Sequence, residues 1–551
     1  MSDAFGVLGM HRLGALKATK NCPVRPTTPL AQSMLMVART MKYPSSVYTH
    51  HFAALLSFIL AASPLHAVLI NVTTNDNYTK IEGANPGDEV VIAPGTYSFR
   101  VYLTKQATPT NPIVIRALDP SQPPVWDFGT TLVENAPGSY TAGDRGRGGW
   151  QLSGASSYSI SGIVFRHCRT GSFNSAGIRY YYGTTNLYIK NCVFNLNDDG
   201  LTGGTQNSQA IVEFCEFNAN GNTNASSSSP THNIYVYGGY LTMRYCYVHD
   251  SAQGQNFHIR CRSSTLEYNW FARANNYDGD LMSDDDFSGS PGPLLQTMTL
   301  RGNVFVQNSH PGNHSQVVAL YNDAGLGNLT LSLHMLYNTF VGVNMNSALV
   351  HVSNADGTQM TAEVSDNIIY GTRTPVLIED TNAAVVTGVN NWIQTNADAG
   401  TLTGSVLSSS PEFRNPAAQD YTLSTGSACV GNASGSVFGL PGKEYFQNEI
   451  TNRFWRIRDS ARDLGAFESA NTNRAVGPYD SAPLPQLGVS NSGSAALLSW
   501  PLFAQDFQLD ESDFSSPASW SLAPFASVTN LAGVSVTAPI AGKAAFFRLR
   551  Q

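Results

Sequence analysis

One seven-residue pattern returns through the centre of this 551-residue chain and limits what it can fold into. It occupies residues 188–194, 211–217, 242–248, 265–271, 299–305, 334–340 and 363–369, with looser copies ending at Phe165 and Ile393. Its fifth position reads Ile163, Cys192, Cys215, Cys246, Asn269, Asn303, Asn338, Asn367 and Asn391, in steps of 23 to 35 residues. A shortest step of 23, with longer steps absorbing insertions, is the period of one coil of a parallel β-solenoid.

The second position of the pattern holds Ile160, Ile189, Val212, Met243, Leu266, Leu300, Met335 and Val364. The seventh holds Phe165, Phe194, Phe217, Val248, Phe271, Phe305, Phe340, Ile369 and Ile393. Strand side chains alternate between faces, so both positions predict inward ladders, each residue stacked on its copy in the next coil. At the fifth position Asn can bond its copies above and below, while Cys serves as a small hydrophobe. Free, buried thiols are expected there, although stacked cysteines could come close enough to bridge.

The third position carries Lys190, Glu213, Arg244, Glu267 and Arg301, alternating in sign. Coils lie about 4.8 Å apart, so opposite charges should face each other along an outward column. The expectation is a solvated ladder that helps fix register, each exposed pair contributing about 0–1 kcal/mol. These residues are not expected to be catalytic.

Composition agrees with an all-β chain. Hydrophobic residues make up 42%, enough for a core, while only 13% are charged. A net charge of −7 without a basic stripe argues against nucleic acid as partner. Met41-Lys42, the apolar stretch 52–62 and Ala67 read as a secretory signal too short to span a bilayer, cut after about residue 67. Residues 1–40 look like an extended leader or a start placed too far upstream. The mature chain is therefore expected to be secreted, with no transmembrane segment, and to act as a monomer.

Residues 86–97 give a turn, an apolar strand and a second turn, and 111–116 give another strand. Here Pro86-Gly87-Asp88, Pro94-Gly95-Thr96-Tyr97 and Asn111-Pro112-Ile113 follow one another. In that order they resemble the start of the right-handed, pectin-lyase-like parallel β-helix superfamily, especially polysaccharide lyase family six and its chondroitinase-B-like members. Residues 411–468, with Phe413, Asp420-Tyr421-Thr422-Leu423 and Asp463-Leu464-Gly465-Ala466-Phe467-Glu468, resemble the closing coil of bacterial members. The β-helix is expected over 68–470, a linker over 471–487, and a small β-sandwich over 488–551 with short strands at 495–500, 507–509, 534–538 and 544–549. That last module resembles one found on secreted proteins of verrucomicrobial-type bacteria. Its expected role is sorting, attachment or accessory, or stabilisation alone.

Of eight histidines after residue 67, five fall between 232 and 314. Residues 231–237 and 255–260 are offset by 23, so they should stack on consecutive coils. That sets Tyr235 beside His258 and Tyr237 beside Arg260, facing out, with Arg179 and Tyr181 in the same columns, His232 near by and Asn233 and Asn256 at the edge. Such a band suits an acidic sugar chain, with rings for stacking and cations for carboxylates or sulfates.

The resemblance implies a lyase whose base is a lysine in the segment aligned with 254–260. Here His258 stands at that position, and no lysine occurs from 191 to 442. A β-eliminating enzyme would therefore use His258 or Tyr235 as base, with Arg260 steadying the carboxylate or leaving oxygen. Arg179, His232, Asn233, Tyr237 and Asn256 are the expected substrate contacts. A calcium ion could assist through Asp280, Asp284, Asp285 and Asp286, read as an acidic loop that lacks regular ligand spacing. Two other readings stay open. One is a glycoside hydrolase using Asp198, Asp199 and Asp250; the other is a glycan-binding or surface structural protein without turnover.

Overall fold

The computed structural model describes residues 67–550 except 130–147, 172, 174, 227–228, 285–293, 308–315, 343–347, 354–358, 380–383, 436–438, 447–452, 461, 513–519 and 540–544. The expected secretory signal, apart from Ala67, lies outside the described residues, as do His310, His314, Asp285 and Asp286.

The repeat winds into a parallel β-helix with three faces. A 21-stranded sheet wraps around two of them and a 12-stranded sheet forms the third. On the first face Ala176–Tyr181 pairs with Asp199–Gly203, which pairs with Ile234–Arg244. On the second, Leu187–Lys190 pairs with Gln209–Glu213, and that strand with the far half of Ile234–Arg244. Ile234–Arg244 and Phe257–Glu267 each run across both faces without a break. The bend at Gly238 permits this: its φ is +76°, and a Cβ there would lie 2.3 Å from the Thr205 carbonyl carbon.

Both inward ladders form as the alternation requires. Phe194 and Phe217 stack with centroids 4.6 Å apart, and Phe305 and Phe340 at 4.7 Å. Each such ring is almost fully buried, removing about 1.5–3 kcal/mol worth of apolar surface from water. Between the second and third faces the chain turns through a left-handed residue, among them Asn191, Phe214, Tyr245 and Tyr268, with φ between +50° and +56°. The pattern's fifth position follows immediately. Asn269, Asn303, Asn338 and Asn367 each donate Nδ2–H to the Oδ1 of the next copy at 3.0 Å. The cysteines continue this ladder: the Cys192 and Cys215 backbone amides donate to the next Sγ at 3.4 Å. All six described cysteines are free and buried.

The charge column is in register, with Lys190 opposite Glu213, then Arg244, Glu267 and Arg301. It is not solvated. Glu267 is 4% exposed and pairs with Arg301 and, at 2.9 Å, with Arg244. The cover comes from later chain. Parallel pairing ends at Val406–Ser408. Where a closing coil was expected, Phe413–Asn415 with Asp420–Leu423 and Lys443–Tyr445 with Trp455–Ile457 form two antiparallel hairpins. Their aromatic residues pack on the flank of the coils: Trp455 stacks on Tyr245 and Tyr421 on Trp270. Outward aromatic residues on the coils make that flank apolar, so it is buried by hairpins. Residues 488–550 then form a four-stranded and a three-stranded antiparallel sheet around Leu498, Trp500, Val534 and Leu549. This module seats Leu502 against Leu336, Tyr337 and Leu440, and Asp506 on Arg244 at 2.9 Å. Among the described residues no helix is long and apolar enough to cross a membrane.

Candidate functional site

On the first face one column reads Arg179, Thr202, Tyr235, His258 and Asp280 through five successive coils. Tyr237 and Arg260 pair in the adjacent column. The juxtapositions of Tyr235 with His258 and of Tyr237 with Arg260 thus occur in the structure. Asp280, read from the sequence as part of an acidic loop, lies instead on the strand Gly279–Met282, directly over His258. An offset of 22 residues between the segments 257–259 and 279–281 is the trace it left in the sequence.

His258 is held from both sides. Its Nδ1 lies 2.9 Å from Asp280, whose carboxylate also accepts Tyr277 O–H at 3.0 Å and the Ile259 amide at 3.3 Å. Arg260 Nε donates to His258 Nε2 at 3.1 Å. A carboxylate on Nδ1 fixes the ring and its tautomer, with Nε2 as the accepting nitrogen that takes the Arg260 N–H. The Arg260 guanidinium continues to the Ser283 carbonyl at 2.7 Å and to Asp323, which it meets with both terminal nitrogens. Tyr235 meets the imidazole edge-on at 4.7 Å. Burial pushes its phenol up to about 12, although Arg260 draws it back.

The other expected contacts divide. Tyr237 is half-buried in the band, 6.1 Å from Tyr181, and Arg179 lies over the Tyr181 ring at 4.4 Å. His232 stacks parallel on His258 at 4.7 Å but is only 3% exposed. Burial holds it well below the usual histidine range, and its Nδ1 accepts the Gln255 amide at 3.2 Å. It therefore packs behind His258 as a neutral ring. Asn233 and Asn256, expected at the edge of the band, point into the coil and are wholly buried. They belong to a second internal ladder in which Asn220 donates to Asn233, Asn233 to Asn256 and Asn256 to Asp278. An amide at the corner between faces satisfies the turn's backbone first, which draws both inward.

Beneath the band, Asp199 accepts the His232 amide at 2.7 Å, and burial pushes its carboxyl up to about 8. Asp198 is fully buried and accepts from the Thr170 amide and from Asn222. Asp250 is bound to His249 at 2.5 Å and to Arg273 at 2.8 Å. All three carboxylates are thus engaged by groups within the protein. The two described acids of the expected calcium site are engaged elsewhere. Asp280 is engaged by His258, and Asp284 accepts the Gly238 amide at 2.6 Å. Among the described residues no group of three or more His, Cys, Asp or Glu converges on a metal position.

No family model matches the chain, and no curated protein matches it. Solved structures do. An alginate lyase from a Paenibacillus species shares 14% identity over 61% of this chain and 98% of its own, with a TM-score of 0.42. The pectate lyase Pel9A shares 15% over 74% and 98%, at 0.41. A mannuronic-acid-specific family-six lyase from the human gut microbiota shares 11% over 62% and 91%, at 0.35. These chains differ so widely in sequence that the chemistry of the band must be argued from its own residues.

Proposed function

We propose that the first face binds an acidic polysaccharide and cleaves it by β-elimination, making this a secreted polysaccharide lyase that works as a monomer. The observation that carries the reading is His258 fixed between Asp280 and Arg260, with Tyr235 against its ring. Elimination needs a base for the proton next to the sugar carboxylate, a cation for the charge that develops there, and a proton for the departing oxygen. A substrate carboxylate draws the Arg260 guanidinium off His258 Nε2, which frees that nitrogen as the base and makes Arg260 the cation. Tyr235, its phenol held protonated at neutral pH, supplies the proton to the leaving oxygen. A carboxylate reaching Arg260 competes with Asp323, so the ion pair keeps the guanidinium oriented until substrate arrives. Tyr237 extends the band along the coils for a neighbouring sugar unit, with Arg179 and Tyr181 buried beneath it as its support.

The test is a panel of alginate, pectate and chondroitin followed by ultraviolet absorbance of unsaturated ends, run with the natural protein and with His258→Ala. Absorbance lost in the variant supports the lyase. Reducing ends without absorbance indicate hydrolysis, and binding without turnover indicates a glycan-binding protein. Turnover that survives His258→Ala removes the base assignment.

A further inference from the structure

The second face meets the later chain across a cavity of about 230 Å³. Its floor is the charge ladder, where Glu267 is shared by Arg244 and Arg301. Phe503, Gln505 and Asp506 form the opposite wall. Lys443, first residue of the hairpin strand Lys443–Tyr445, lines the same space and is only 9% exposed.

That ammonium is under-coordinated. Its nearest carboxylate oxygen, Asp506 Oδ2, is 3.9 Å away and already accepts from Arg244 at 2.9 Å. Its other neighbour is the Trp455 ring, with the centroid at 5.1 Å. Burying a cation without hydrogen bonds is costly unless something supplies them. The lining carries three cations (Arg244, Arg301, Lys443) against two carboxylates (Glu267, Asp506), an excess of one positive charge. Glu213, next along the ladder, lies 3.9 Å from Arg244 and stands opposite Lys190, so counting that further pair of charges leaves the excess at one.

We propose that this seam binds one small carboxylate-bearing sugar, a single uronate unit, with its carboxylate on Lys443 Nζ. The volume lies below the ~300–1,000 Å³ of drug-sized sites, which limits the occupant to about one ring. Thr242 and Thr265, paired in register on the floor, offer hydroxyls to the sugar, and Phe503 offers a flat wall to its apolar face. The β-helix, the hairpin and the C-terminal module each contribute to the site, so occupancy stabilises their docking. The inference uses a different face from the proposed lyase centre and does not depend on it.

Thermal unfolding of the full chain tests it, with glucuronate or galacturonate as probe and glucose, acetate and sulfate as controls. The expected result is a saturable rise of about 2–4 °C with uronate, no rise with glucose, retention of the rise in His258→Ala and its loss in Lys443→Met. No rise, an equal rise with sulfate or acetate, or a rise that survives Lys443→Met or disappears in His258→Ala overturns the proposal. Should Lys443→Met not fold, amine labelling of the natural protein decides. Uronate at ten times its Kd should slow modification of Lys443 roughly tenfold; unchanged labelling overturns the site.

Discussion

Two outward columns on adjacent faces of the same coils have had opposite fates. On the second face Lys190, Glu213, Arg244, Glu267 and Arg301 stand in register, and Lys443 of a hairpin and Asp506 of the C-terminal module close over the last three. On the first face Tyr235 and Arg260 share those coils and remain half-buried, while His258 is buried between Asp280 of the coil that follows and the Arg260 guanidinium. In the first case charge complementarity is consumed within the protein. In the second it holds the His258 ring and the Arg260 guanidinium in place and leaves Tyr235, Tyr237 and Arg260 half-buried. Which later segment covers a column, more than the residue types within it, separates the closed ladder from the column proposed to react.

The contrast can be broken most directly at His258. His258→Ala should lower kcat about 10²–10⁴-fold while moving the urea midpoint little, measured on whichever polyuronate the panel identifies. Next comes Glu267→Ala, which leaves Arg244 and Arg301 buried without their shared partner and should cost about 3–5 kcal/mol in urea unfolding, with kcat/KM unchanged. Its carboxyl is held down to about 2 by Arg301 and Arg244, against burial. The folded pKa lies below the unfolded value of about 4.3. That stability is therefore present above pH ~4.3 and lost as pH falls toward 2; comparing midpoints at neutral and acid pH for both proteins checks the sign. A loss of activity without a loss of stability in Glu267→Ala would show the two faces to be one site.

A smaller effect is expected at Asp323. Asp323→Asn frees Arg260 for a substrate carboxylate and should lower KM severalfold, at roughly constant kcat, in steady-state assays. The smallest is Asp199→Asn. A carboxyl raised to about 8 is neutral at pH 7, so an amide that still accepts the His232 amide should change stability by under about 1 kcal/mol there. In the natural protein this group's contribution is lost as pH rises from the unfolded value through about 8. The variant should gain relative stability by pH 9, read from urea midpoints at pH 6 and pH 9.

Periodicity alone reached far into this protein. Coil spacing, both inward ladders, the Asn and Cys column and the pairing of Tyr235 with His258 and Tyr237 with Arg260 all follow from side chains that alternate along a strand and repeat once per turn. Those are local rules, so they can be read from spacing. Asp280 was nearly legible through its 22-residue offset, but an insertion after it disguised a strand as a loop. Asn233 and Asn256 were misplaced because a corner residue can point either way, and only the hydrogen-bonding needs of the turn decided it. Burial of the charge ladder was beyond sequence. It depends on residues 440–506 returning across more than 100 positions to cover the second face, and no periodic signal marks where a non-repeating chain comes to rest. The sequence alone determined the coil and the columns; tertiary structure decided which column the later chain closes over and which it leaves uncovered.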